Sequence, residues 1–165
     1  MQFKIKTSLF LIFLINIIFT QFGKNIVQYD EYNWEFIQTE HFDVYYNNNG
    51  NEQAEIAAYH CEQAYLHIEK LVGWGLKKRS DIIIYNSHNA FQQTNVIDVY
   101  MEEGVGGVTE LMKNRMVVPF DGSLKEFKHV LYHELVHVFI NDGLYGGSLM
   151  NMLKTSNVML PLWMN

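Results

Sequence analysis

Cysteine is nearly absent from this chain of 165 residues: Cys61 is the only one. An internal disulfide is therefore excluded. Cys61, on the Ala-rich side of an expected helix, reads as a small buried residue. Proline is scarce too, with only Pro119 and Pro161, and neither a low-complexity linker nor an internal repeat divides the chain. Cations are outnumbered, 12 Lys and Arg against 18 Asp and Glu, for a net charge of −6. Such a chain has no electrostatic attraction for nucleic acid or anionic lipid. Its one basic cluster, Lys77-Lys78-Arg79, reads as a solvated turn before a strand. The glycines at 104, 106 and 107 lack nucleotide-fingerprint spacing, and no helix follows them, so their simpler role is backbone freedom before a strand.

What remains is ample for one domain with a real core, since 48% of residues are hydrophobic and 15% aromatic. The first 20 residues read as an export signal. Lys4 and Lys6 precede an apolar run from Leu9 to Phe19, interrupted by Asn16, and Thr20 offers a small residue for cleavage before Gln21. The run falls short of the roughly 20 residues of a comfortable membrane span. A retained N-terminal anchor is the alternative, because Ile18-Phe19-Thr20 is a poor cleavage site. No cysteine lies nearby, which excludes lipoprotein processing.

Residues 21–165 read as one α+β domain. Trp34 to Thr39 and His41 to Tyr46 alternate in the manner of strands, and Asn47-Asn48-Asn49-Gly50 marks a turn. Residues 52–72 read as a helix with Ile56, Tyr59, Ala64, Leu66, Ile68 and Leu71 as its apolar positions, closed by Gly73. Asp81 to Tyr85 is a buried strand by its continuous apolar run. Gly106 to Glu110 and Arg115 to Phe120 form an expected hairpin around Lys113-Asn114, and Pro119 ends the second strand or puts it at an edge. A short helix is expected over Ser148 to Lys154 and the start of another at Pro161.

The chemistry concentrates in His133-Glu134-Leu135-Val136-His137, an H-E-x-x-H sequence. On a helix this spacing aims two imidazoles from one face at one metal ion. Zinc takes neutral nitrogen donors at about 2 Å. The Glu134 carboxylate can then accept a proton from a water whose pKa the metal lowers to roughly 7. The surroundings support a helix. Ser123 and Glu126 make an S-x-x-E capping box, and Leu124, Phe127, Val130, Leu131, Leu135 and Val138 form one apolar stripe. The helix is expected to stop near Asn141-Asp142-Gly143, with Gly143 in the left-handed conformation. His129 extends the ladder, but eight residues of helix span about 12 Å, so it reads as a half-buried or supporting residue rather than a ligand. His41, His60, His67 and His88 show no ligand spacing.

His-Glu-Leu-Val-His-Val-Phe, followed later by Leu160-Pro161-Leu162-Trp163-Met164-Asn165, resembles the zincin metallopeptidases of the gluzincin type, in particular bacterial peptidase-MA-like domains. Phe22-Gly23-Lys24-Asn25, Val27-Gln28-Tyr29, Trp34 and Thr39-Glu40-His41-Phe42-Asp43-Val44-Tyr45-Tyr46 resemble the start of exported proteins that join such a domain to a TolB-like β-propeller. The resemblance implies a mixed sheet with an edge strand over a central H-E-x-x-H helix. It also implies Zn2+ held by His133 and His137, Glu134 as general base, and Gly107-Val108-Thr109 as the edge strand that holds an extended peptide or protein substrate. The third zinc ligand, a Glu in that family, is expected beyond Asn165, with a C-terminal propeller after it. The match then covers a zincin-like subdomain whose C-terminal part is truncated. After His137 the only carboxylate is Asp142, too near on the same helix to reach the metal. A metzincin arrangement is excluded, because its third His would fall where Gly143 stands. Two functions follow from different classes: an exported zinc metallopeptidase present as a fragment, or a non-catalytic cell-envelope binding module that keeps the fold.

Overall fold

The computed structural model describes residues 31–47, 49–96, 104–110 and 113–145. Their architecture is α+β. Five strands, β1 (Trp34–Gln38), β2 (Phe42–Asn47), β3 (Ser80–Tyr85), β4 (Val108–Glu110) and β5 (Arg115–Pro119), form one sheet in the order β1-β2-β3-β5-β4. The inner pairs β2–β3 and β3–β5 are parallel, whereas each outer strand runs antiparallel to its neighbour. Parallel neighbours need a crossover. The helix α1 (Asn51–Val72) supplies it between β2 and β3, and the short α2 (His88–Phe91) follows β3. The helix α3 (Leu124–Tyr145) follows β5.

Side chains alternate along each strand, and this decides where the core lies. Phe42 and Val44, Ile82 and Ile84, and Met116 and Val118 face α1 and α3, where they meet Phe127, Leu131, Leu135, Val138 and Phe139. Tyr85 and Val117 take the opposite face, where Phe91 of α2 covers them and Ile83 packs alongside. That two-sided burial is the physical reason for the unbroken apolar run in β3.

Both turns around α1 follow their residues. Asn49 takes φ 67°, and the Gly50 N–H donates to the Asn47 carbonyl at 2.9 Å. At the far end Gly73 takes φ 83°, and its N–H donates to the Glu69 carbonyl at 2.8 Å. The buried face of α1, however, is only partly the one expected: Ile68 is buried and Ile56 and Ala64 pack against the core, but the other three apolar positions do not. Ala54, Ala57, Ala58, Cys61, Tyr65 and Ile68 are buried, while Tyr59, Leu66 and Leu71 are 64%, 59% and 69% exposed. Small residues let the helix lie close to the sheet, and the bulky ones are left in solvent. Burial also pushes the Cys61 thiol well above its ordinary pKa, which makes it unreactive.

One further expectation is corrected and two are borne out with added detail. First, α3 does not stop at Asn141–Gly143 but runs on to Tyr145. Gly143 serves a close approach instead: a Cβ there would lie 2.7 Å from the Trp74 ring, whose Nε1–H donates to the Phe139 carbonyl at 3.3 Å. Second, Lys77-Lys78-Arg79 is exposed yet organised. The Lys77 N–H donates to the buried Asp142 carboxylate at 3.1 Å, and its Nζ donates to the Asp142 carbonyl at 3.0 Å. Arg79 donates to Asp43 at 2.7 Å and to the Phe42 carbonyl at 2.6 Å. The Arg79 guanidinium holds the Asp43 carboxyl below its ordinary range. Third, Pro119 does end β5, but β5 lies between β3 and β4 rather than at an edge.

Among the described residues no helix is long and apolar enough to cross a membrane. The export signal over 1–20, the segment from Phe22 to Tyr29, the short helix expected over Ser148–Lys154 and the stretch Leu160–Asn165 lie outside the described residues.

Candidate metal centre

The start of α3 is fixed locally. The Ser123 Oγ accepts the Glu126 N–H at 3.3 Å, and the Asp121 carboxylate accepts the Ser123 N–H at 3.1 Å. Phe127, Leu131, Leu135 and Val138 then bury the expected stripe, although Leu124 at its head is 46% exposed. With that stripe held against the sheet, the rotation of the helix is no longer free. His133 and His137 come out exposed, and Glu134 comes out buried at 6% exposure.

The two imidazoles meet. Their Nε2 atoms are 3.1 Å apart, with ring centroids at 4.8 Å. Two donors at about 2.0–2.1 Å from a tetrahedral ion would stand about 3.3–3.4 Å apart. The observed Nε2 separation is close to that value. In the metal-free chain the same spacing lets one Nε2–H face the other's lone pair. His129 is exposed, not half-buried, and its ring centroid is 6.5 Å from that of His133. Asp142 is directed away from the pair, into its bond with Lys77. Among the described residues no group of three His, Cys, Asp or Glu side chains converges as a metal cluster.

Glu134 does not project beside the imidazoles into solvent. Its carboxylate is taken up by β4, where the Thr109 Oγ1 is 2.6 Å from Oε2 and 3.2 Å from the Glu134 carbonyl oxygen. The strand comes so close because Gly107 has no side chain. A Cβ at 107 would stand 2.8 Å from Val130 Cγ1 and 3.0 Å from Glu134 Cγ. Gly106 meets Val130 in the same way, at 3.1 Å. The glycines read as backbone freedom thus turn out to be a clearance for α3. β4 is the last strand of the sheet at this end, so the edge expected at Gly107-Val108-Thr109 lies directly over the H-E-x-x-H turn. Gly107 itself falls one residue before the paired strand.

Comparison with family models, with curated proteins and with solved structures finds no match to the chain.

Sequence reasoning found the two imidazoles, the carboxylate and the strand. It missed that Thr109 and Glu134 are bonded, because 25 residues separate them and no periodicity links a strand residue to a helix residue. The one available signal was the Gly106-Gly107 pair ahead of a β-branched run, which marks a backbone that must pass close to something.

Proposed function

We propose that this chain carries the catalytic helix of an exported zinc-dependent metallopeptidase of the zincin type. One observation carries the reading: His133 and His137 present their Nε2 atoms 3.1 Å apart on the exposed side of α3, while the intervening Glu134 is drawn under an edge strand. The donor set suits Zn2+, since neutral imidazoles are among its preferred ligands. His133 and His137 would hold the ion, and the resemblance to gluzincins implies a Glu beyond Asn165 as the third donor. A zinc ion held there supplies Lewis-acid polarisation for hydrolysis of an amide.

The chain's own residues do the rest. The Glu134 carboxylate accepts the proton of the attacking water and returns it to the leaving amine, a general base and then a general acid. Among the described residues β4 is the outermost strand at its end of the sheet, and the outer edge of such a strand matches an extended peptide by strand addition. A non-catalytic binding module is the competing reading, and it leaves a carboxylate between two paired imidazoles without a purpose.

The test is Glu134→Gln in the full-length, zinc-loaded protein, a change that keeps size and hydrogen-bonding shape; the 165-residue chain alone should show little activity in either form. Hydrolysis of a peptide substrate is expected to fall by about 10² to 10⁴, the usual share of a general base, with zinc content and Tm near those of the unmodified protein. Unchanged turnover would sink the mechanism. Export is the other half of the proposal and rests on Lys4, Lys6 and the Leu9–Phe19 run. Mass spectrometry should find a mature terminus near Gln21 on a protein outside the cytoplasm, and an intact Met1 on a soluble cytoplasmic protein would refute it.

A further inference from the structure

A buried carboxylate that must exchange a proton with substrate has a geometric problem. Its two oxygens are chemically alike, and a Glu side chain has three rotatable bonds that can turn either of them away. Two features of β4 remove that freedom. Gly107 leaves a gap in which Glu134 Cγ sits 3.0 Å from where a Cβ would be, and Thr109 places its hydroxyl 2.6 Å from Oε2. The same hydroxyl lies 3.2 Å from the Glu134 backbone carbonyl, a second and more distant acceptor for its single proton, so the shorter contact to Oε2 is the principal one. Val130, one turn earlier on α3, closes the remaining side of the gap. We propose that Gly107 and Thr109 form a socket that fixes the rotamer of Glu134, with Oε2 anchored on Thr109 and Oε1 left as the oxygen that takes the proton.

This inference rests on the reading of Glu134 as general base, and it deepens that reading by naming the atom that acts and the residues that aim it. Thr109 and Gly107 are positioning residues: they act on substrate only through Glu134. Pre-arranged geometry matters because a misplacement of about 1 Å in a catalytic group costs up to about 10²-fold in rate. A hydroxyl is the right device for this task. It donates one hydrogen bond to a carboxylate without bringing a charge that would compete for the proton. The socket also accounts for the small residue at 107 and the hydroxyl two positions later, on the same side of the extended chain.

The experiment compares Thr109→Val, which keeps the shape and removes the hydroxyl, with Thr109→Ser, which keeps the hydroxyl. The first readout needs neither metal nor activity. In the metal-free chain carrying 13C-labelled Glu, the Glu134 carboxyl resonance, identified by its loss in Glu134→Gln, should move in Thr109→Val and return in Thr109→Ser. Gly107→Ala, which pushes on Cγ from the other side, should move it as well. In the zinc-loaded protein, Thr109→Val should lower kcat by about 10- to 100-fold, leaving KM and zinc content in place, and Thr109→Ser should restore kcat. A Glu134 resonance indifferent to Thr109→Val would overturn the socket. So would full kcat in Thr109→Val when Glu134→Gln is inactive. If Glu134→Gln itself retains turnover, the general-base reading fails and takes the Oε1 assignment with it, and the resonance shifts alone then decide whether the socket holds the rotamer.

Discussion

The two long helices, α1 and α3, have 22 residues each and lie on the same face of the sheet, yet they obey different rules. α3 buries Phe127, Leu131, Leu135 and Val138, four residues of the expected stripe, with Phe139 beside them, and its polar residues at 133 and 137 stay in solvent. α1 buries three alanines, a cysteine, a tyrosine and one isoleucine, and leaves Tyr59, Leu66 and Leu71 outside. The difference lies in what each helix must accommodate. α1 is the crossover between two parallel strands and lies close over them, where small side chains fit. The bulk on α3 fixes its rotation, and that rotation sets which way His133, Glu134 and His137 point. α3 also carries two buried carboxylates, Glu134 and Asp142, for which α1 has no counterpart among its buried residues. Where small side chains are buried and large ones exposed, apolar periodicity misidentifies the face. Where large side chains are buried, it identifies the face correctly.

Zinc uptake separates the helices most sharply. His133→Ala with His137→Ala on α3 is expected to abolish the binding seen by equilibrium dialysis. His60→Ala with His67→Ala on α1 should leave it intact, since those residues are seven apart and show no shared donor geometry. The chain should bind weakly even when unmodified, because two donors occupy only half of a tetrahedron. Equal uptake by the unmodified chain and the α3 double mutant would remove the metal assignment.

Stability should divide the helices next. Leu131→Ala removes a fully buried side chain from α3 and is expected to cost about 2–5 kcal/mol by urea denaturation. Leu66→Ala, at a position 59% exposed on α1, should change stability by no more than about 0.5 kcal/mol. Similar losses at both positions would mean that the buried face of α1 has been misplaced.

The smallest effect is expected at the junction of the two helices. Gly143→Ala gains up to about 1 kcal/mol of helix propensity, but its Cβ would stand 2.7 Å from the Trp74 ring, and overpacking of that kind costs about 1–3 kcal/mol. A net loss of about 1 kcal/mol is expected, together with a change in Trp74 fluorescence. A gain in stability would show that Trp74 yields readily, and that the segment joining α1 to β3 holds α3 less firmly than its hydrogen bonds imply.

Much of the architecture was legible because it follows from local chemistry. Alternation located β1 and β2, the unbroken Ile run located β3, and Gly73 closed α1 in the left-handed conformation that glycine alone adopts cheaply. The capping residues Ser123 and Glu126 set the start of α3 and with it the frame of the H-E-x-x-H turn. Its end was not legible. Asn-Asp-Gly is a strong stop signal in isolation, but Asp142 is bonded to Lys77, 65 residues away, and Gly143 is packed under Trp74. These contacts keep the helix going through residues that would otherwise end it.

By itself the sequence determined that two imidazoles four residues apart share one face of any straight helix, because 3.6 residues per turn puts them there. Only the tertiary structure decided how the carboxylate between them is held. Glu134 could have faced solvent beside its neighbours. It is buried because the stripe on α3 turns it toward the sheet, and because β4, bare at Gly107 and hydroxylated at Thr109, is brought there by pairing with β5. Side chains 25 residues apart meet through strand pairing and helix rotation, and neither is written in the local spacing of residues.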